Sequence, residues 1–467
     1  MKNYLKLHLL AFVACSALLA GCSGDSEAVE EPKSDDTSLT GFSFKKSYND
    51  GLSSNMSSRS SGELIYITVP EEADLTALVP SFKVGDGASV TINGKPAESD
   101  ITPCDFSSTT TLVVTSESGK SQSYTVLAKN GNPTIDNKVY NFMIKHSLPG
   151  VSVAISAGEE TVYKAGYGFA VKDTKQRVTP QTLFRLASMS KQQTALGIMT
   201  LYEQGLLSID DTVFGEGGLL EEEFGTDVLP TVKQITVKHL LQHTSGWSKD
   251  PIYTGATTSL EERIEDMIKN NVPDYTPGTT FDYNNLNFCI LGKVIEAVSG
   301  KDYETFLHEE VHAKAGVSNI FVGKNSPSER RTQECRYYGQ GGKDPYANDM
   351  VLSKAAGGMI ANTEELMKLM AHIDYGTKVP DILKKETLDT MYKPISEGAR
   401  YALGWRTNHA TFDDWAAYHG GTLAGVCTIW ARGENGVNGV ILCNSRSYEK
   451  SIDTEMWFML EEFQKMF

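Results

Sequence analysis

No Cys-x-x-Cys pair occurs in the 467 residues, which removes zinc-ribbon readings. Cationic residues are in short supply. Lys and Arg number 43 against 59 Asp and Glu, and the formal charge of −16 repels phosphate backbones, so nucleic acid is not an expected partner. Beyond the first 22 residues no run is apolar enough to enter a bilayer. With 40% hydrophobic and 22% charged residues, the composition excludes a wholly disordered, collagen-like or coiled-coil chain. The length predicts two or three domains. A paired disulfide framework is also missing. After Cys15 and Cys22, five cysteines remain at irregular spacings, and Cys427 and Cys443 fall in neighbouring apolar runs as small core residues.

What is present begins with an address. Lys2 and Lys6 precede a mostly apolar stretch, Leu7 to Leu19, too short to span hydrocarbon. It ends in Leu19-Ala20-Gly21-Cys22, which resembles the cleavage box of bacterial lipoproteins. Residues 1–21 are then a signal peptide and Cys22 carries the lipid. Residues 22–38, rich in Asp and Glu, form a flexible acidic tether. This places the chain in the cell envelope of a Gram-negative bacterium, at the outer membrane, with the lipid as its only membrane contact.

Residues 39–130 alternate apolar and polar in short runs, such as Leu64–Val69, Leu112–Thr115 and Tyr124–Leu127. They read as about six strands of a small β-sandwich. The stretch resembles immunoglobulin-like modules of envelope lipoproteins, and it reads as a spacer without catalytic residues, with glycan or partner binding as the alternative. Asn130-Gly131-Asn132-Pro133 marks the boundary. From 135 to 467 a strand pair at Val151–Ala157 and Thr161–Gly168 is followed by helical patterns at 190–204, 286–298, 303–315 and 363–373. Two apolar runs, 426–432 and 437–443, flank Asn435-Gly436, a hairpin signal, and a helix at 452–467 closes the chain. Strands at both ends with helices between predict an α/β (α+β) domain: one antiparallel sheet flanked by helices, with a helical subdomain inserted.

Three motifs carry chemistry here. Ser188-Met189-Ser190-Lys191 opens a helix, so Ser188 and Lys191 share a face one turn apart. A serine hydroxyl is a weak nucleophile until a base takes its proton, and a lysine in a water-poor site can serve as that base. Tyr283-Asn284-Asn285 follows the Pro277-Gly278 turn. His419-Gly420-Gly421-Thr422 enters the terminal hairpin, where glycines let a substrate backbone approach. Each is common alone.

Together, and in this order, they resemble the serine β-lactamase and penicillin-binding-protein superfamily. The branch is that of class C β-lactamases, D-alanyl-D-alanine carboxypeptidases and esterases. His239-Leu240-Leu241-Gln242-His243-Thr244-Ser245-Gly246, Leu183–Ala187, Leu291–Glu296, Ala355–Met359 and Gly404-Trp405 extend the likeness across roughly residues 135–467. The resemblance implies Ser188 as nucleophile, Lys191 and Tyr283 as the proton-handling pair, and Asn285 on the substrate amide. It also implies an oxyanion hole from the N–H groups of Ser188 and Thr422, with His419, Gly421 and Thr422 contacting substrate. It implies no cofactor and no metal. His419 stands where many relatives carry a lysine, which weakens the case for efficient β-lactam hydrolysis. The expected function is a D-Ala-D-Ala-type carboxypeptidase, D-amino-acid peptidase or esterase. The expected substrates are small peptides, esters or β-lactams, peptidoglycan-derived ones included. A class C-like β-lactamase and a catalytically silent surface binder remain as alternatives.

One rival motif is His308-Glu309-Glu310-Val311-His312, the HExxH pattern of zinc proteases. Its extension fails, because Ala315 and Ser318 stand where Gly and His are needed. An ordinary helix with Tyr303, Leu307 and Val311 buried is expected instead.

Overall fold

The computed structural model describes residues 32–396, 398–407, 415–448 and 452–467. The signal peptide, Cys22 and the tether as far as Glu31 lie outside the described residues. The tether's last residues are not loose. Asp35 pairs with Lys120 at 2.6 Å, and Tyr124 Oη donates to the Thr37 carbonyl at 3.1 Å, so the chain docks before residue 38.

Residues 39–130 fold as two sheets. Leu39–Phe44 lies between Met56–Ser57 and Pro80–Val84. The larger sheet runs Arg59–Ser61, Leu64–Val69, Ser121–Asn130, Thr110–Thr115, Ser89–Ile92, Lys95–Pro96. Strict alternation sends Thr110, Leu112 and Val114 inward. Phe42, Phe44 and Phe106 meet edge-to-face between the layers. Leu64–Val69 pairs in parallel with Ser121–Asn130, so strands from distant parts of the module lie side by side.

The boundary cluster does more than separate domains. Asn132 caps a helix, Pro133–His146, by accepting from the N–H groups of Thr134 and Ile135. Pro133 takes the first helical position, where its missing N–H costs nothing. This helix joins the two regions tightly. Tyr140 stacks on Tyr66 of the module with ring centroids 4.9 Å apart. Lys129 pairs with the fully buried Asp136 at 3.2 Å, and Tyr163 and Tyr167 donate to the same carboxylate. Arg177 donates to the Ala128 carbonyl at 3.0 Å.

The main sheet is assembled from both ends of the domain, as the sequence predicts. Its order is Gln176–Arg177, Glu160–Val171, Gly150–Ala157, Val437–Cys443, Val426–Gly433, Trp415–Leu423, all antiparallel. Pro133–His146 and the last helix, Ile452–Gln464, cover one face. The helical subdomain covers the other around the central helix Ser190–Glu203, whose residues from Ser190 to Leu201 are all buried. Cys427 and Cys443 are buried and directly opposite in register.

The pattern over 303–315 resolves differently from one helix. Tyr303–Leu307 is α-helical, His308–His312 is a π turn, and Ala313–Ala315 is a 3₁₀ turn. The wider turn rotates His312 inward to Gln193 Oε1 at 3.0 Å, while His308 stays exposed. Tyr303, Leu307 and Val311 are buried, as their spacing predicts.

Candidate active site

Ser188 sits in a 3₁₀ turn, Ala187–Met189, that runs into the central helix. Ala187 has φ +50°, a left-handed conformation that costs a non-glycine residue roughly 1–3 kcal/mol. The turn persists because its surroundings leave no alternative: Ala187 is fully buried, and the Leu186 N–H is held by the Met359 carbonyl at 2.8 Å. It leaves Ser188 partly exposed at the helix mouth.

One turn on, Lys191 is fully buried. Its Nζ donates to Ser188 Oγ at 3.3 Å, to Asn285 Oδ1 at 2.8 Å and to the Ala356 carbonyl at 2.6 Å. Asn285 begins the helix Asn285–Ser299, which packs beside the central helix. Its amide is oriented from the other side by Asp250. Oδ2 of Asp250 accepts from Asn285 Nδ2 at 2.8 Å and from its main-chain N–H at 2.9 Å.

The Tyr283 ring lies 4.9 Å from Lys191 Nζ, and its hydroxyl is buried with no protein partner among the described residues. A buried hydroxyl without a partner is costly, so its placement is a statement about what should meet it. Above that ring sits Arg406, a residue no sequence motif marks. Its guanidinium lies 5.6 Å from the Tyr283 centroid and 5.7 Å from that of Tyr401, with no carboxylate partner among the described residues.

Behind Tyr283 runs a buried chain of hydrogen bonds whose direction is fixed at both ends. The Asn284 N–H can only donate, so His243 Nδ1 accepts it at 3.1 Å. The Gly420 carbonyl can only accept, so His419 Nδ1 carries a proton toward it at 2.6 Å. Between them His243 Nε2 donates to Tyr401 Oη, and that hydroxyl donates to His419 Nε2, each at 3.1 Å. Burial holds both imidazoles well below their ordinary pKa, with the nearby Arg406 and Lys191 charges adding to the effect. His419 is therefore neutral, buried, and has both nitrogens engaged inside the protein. The substrate contact that the sequence suggests for it is not available to either nitrogen in this arrangement. Tyr401 was not marked by the motifs at all.

His419, Gly421 and Thr422 lie on the edge strand Trp415–Leu423, not in a loop. Gly421 abuts the Leu186–Ala187 backbone, and Thr422 Oγ1 accepts from Arg446, which also pairs with Asp453. Of the HExxH histidines, His312 is buried against Gln193 Oε1 and His308 faces solvent. Glu309 is taken by Lys301 at 2.8 Å, and among the described residues no group of three His, Cys, Asp or Glu converges.

A family model described as Beta-lactamase matches residues 135–461, and a second, described as SGBP, N-terminal, matches residues 43–128. Protein flp of Staphylococcus aureus (strain N315) is 26% identical over 313 residues, covering 64% of this chain and 60% of the relative's length. The chain thus spans less than two-thirds of that relative. The solved D-alanine carboxypeptidase AmpC from Burkholderia cenocepacia superposes with a TM-score of 0.59 at 19% identity, over 70% of this chain and 98% of that one. The D-amino acid amidase from Ochrobactrum anthropi does so with a TM-score of 0.58 at 23% identity, over 71% and 99%. At these identities the two structures share the fold.

Proposed function

Because the chain belongs to the Beta-lactamase family through residues 135–461, we propose that it is a serine hydrolase that works through an acyl-enzyme on Ser188. The observation that carries this reading is Lys191 Nζ held 3.3 Å from Ser188 Oγ with the Tyr283 ring 4.9 Å away and its hydroxyl partnerless among the described residues. Ser188 Oγ attacks the substrate carbonyl carbon and its proton passes to the Lys191–Tyr283 pair. That pair returns a proton to the leaving amine or alkoxide as the scissile bond breaks. Water then adds to the acyl-serine ester, releasing the acid product and restoring the serine hydroxyl. The N–H groups of Ser188 and Thr422 receive the oxyanion, which is why Gly421 must bring the edge strand against the nucleophile turn.

Arg406 supports a carboxylate-bearing substrate. It is a cation without a protein counter-charge among the described residues, set over the Tyr283 ring. A small D-amino-acid peptide, peptidoglycan-derived fragments among them, presents a terminal carboxylate beside its scissile amide. A β-lactam presents one too, whereas a simple ester does not. The carboxypeptidase reading therefore ranks first and the esterase second. The lipid anchor at Cys22, a place in the Gram-negative envelope and an immunoglobulin-like spacer role for residues 39–130 complete the proposal. They rest on Leu19-Ala20-Gly21-Cys22 and on the all-β module.

A fluorophosphonate and a penicillin probe test the reaction class directly. Intact mass and peptide mapping should find one adduct, on Ser188, and Ser188→Ala should abolish it while leaving the fold intact. No adduct, as expected of a silent binder, or an adduct on another serine overturns the proposal. A panel of D-Ala-D-Ala peptides, p-nitrophenyl esters and nitrocefin then ranks the substrates.

A further inference from the structure

Asp250 belongs to no motif and touches none of the three reacting side chains, yet it decides how one neighbour faces them. The Asp250 carboxylate can only accept hydrogen bonds, so an amide between it and the Lys191 amino group turns its nitrogen to Asp250 and its oxygen to Lys191. The Asn285 amide lies between the two, with Nδ2 on Asp250 at 2.8 Å and Oδ1 on Lys191 at 2.8 Å. That order is forced by the partners. It leaves the second Nδ2 hydrogen free for a substrate carbonyl.

The carboxylate itself is well anchored. Its Oδ1 accepts from the Ile252 N–H at 3.1 Å, and Oδ2 also takes the Asn285 main-chain N–H at the start of the helix Asn285–Ser299. Arg263, from the helix Leu260–Asn270, donates to the carbonyls of Pro251 and Ile252 at 2.9 and 2.8 Å and braces the loop from behind. Asn284 Nδ2 donates to the Lys249 carbonyl at 2.8 Å and closes the loop onto the Tyr283 segment. Lys249 turns away to Asp266, while Tyr253 and Cys289 also lie near the carboxylate.

Resting on the serine-hydrolase reading, we infer that Asp250 is a positioning residue: it fixes the polarity of the Asn285 amide between Lys191 and the substrate. Without it the amide turns over, presents a donor to Lys191, and withdraws its N–H from the substrate. Asp250→Asn keeps an acceptor oxygen but removes the charge. Asp250→Ala removes both.

The readout is the rate of fluorophosphonate labelling at Ser188, followed by intact mass from pH 5 to 10, with the melting temperature of each variant. Asp250→Ala should label about 100-fold more slowly than wild type, the size of effect a misplaced active-site group produces. Asp250→Asn should stay within about tenfold. In both, the acid limb of the rate profile should move to lower pH, because a negative charge near a cation has been removed. A merely structural role would not move that limb. Wild-type rates in Asp250→Ala overturn the inference. So does an equal loss in both variants with an unmoved limb. If Asp250→Ala does not fold, the limb in Asp250→Asn decides alone, and an unmoved one overturns it. Failure of the wild type to label Ser188 is a separate outcome, which removes the reading beneath.

Discussion

A Cβ on Gly421 would lie 2.1 Å from the Leu186 carbonyl oxygen and 3.1 Å from the Ala187 Cβ. The edge strand and the nucleophile turn touch backbone to backbone at that point, and Thr428 Oγ1 donates to the same carbonyl at 2.8 Å. Thr428 Oγ1 would lie 2.2 Å away as well, and the Leu186 carbonyl is backbone that cannot yield as a flexible side chain would, so a methyl group must push the strand away from Ser188. Gly421→Ala should lower the labelling rate of Ser188 about 100-fold while circular dichroism stays native. Gly420→Ala is the control, since its Cβ would meet only the Thr428 carbonyl at 3.5 Å. Equal losses in the two would show that the contact does not set the geometry.

Arg406 and His419 should separate in a paired substrate comparison. A charge-assisted contact to a carboxylate is worth roughly 1.5–3 kcal/mol, or about 10- to 150-fold in kcat/KM. Arg406→Met should lose that much on carboxylate-bearing peptides and stay within about threefold on neutral p-nitrophenyl esters. His419→Lys should instead lose on both, because an ammonium cannot accept the Tyr401 hydroxyl and, among the described residues, finds no anionic partner at that buried position. A His419→Lys variant that gains on charged substrates would return substrate recognition to that residue.

Acid should unfold the protein through its buried imidazoles. His243 and His419 sit well below 6.5, and His312 is pushed down to about 3 by burial. The unfolded chain protonates these groups near pH 6.5 and the folded one does not, so the unfolded state binds more protons below that pH. Their contribution is fully present above pH 6.5 and is lost as pH falls toward the folded values, on the order of a few kcal/mol by pH 3 for His312 alone. Melting temperatures from pH 8 to 4 should fall for the wild type. They should fall less steeply for His312→Gln, which removes one of the three.

The HExxH stretch should behave as scaffold. His308→Ala should leave activity and melting temperature unchanged, because the side chain is exposed. His312→Ala should destabilise by about 2–3 kcal/mol, since it removes buried volume and leaves the Gln193 amide without its partner. Chelators should not inhibit either variant. Loss of activity with bound zinc would reverse this assignment.

Local periodicity made much of the fold legible. Alternation and Asn-Gly turns marked the strands Leu64–Val69, Val426–Gly433 and Val437–Cys443 to within a residue. Apolar spacing marked the central helix, and residue order marked the three motifs. What escaped needed either a local signal read differently or a distant partner. Asn132-Pro133 is an N-cap followed by a proline at the first helical position, a helix start inside the cluster that marks the boundary. Asp250, Tyr401 and Arg406 acquire meaning only when loops far apart in sequence meet, and no spacing within one element encodes that. The engagement of His419 follows the same logic. Its motif placed it in the cleft, but Tyr401 and the Gly420 carbonyl decide which way its nitrogens face.

The helix Pro133–His146 bears on how such a protein can be taken apart. Asp136 belongs to the hydrolase, yet the cation that faces it, Lys129, is the module's, as is the ring beneath Tyr140. Detaching the hydrolase at this point would strip a buried anion of its counter-ion and expose a tyrosine cluster to water. The two regions are therefore conjoined rather than strung together. At this seam side chains of each region, Lys129 with Asp136 and Tyr66 with Tyr140, hold the other in place.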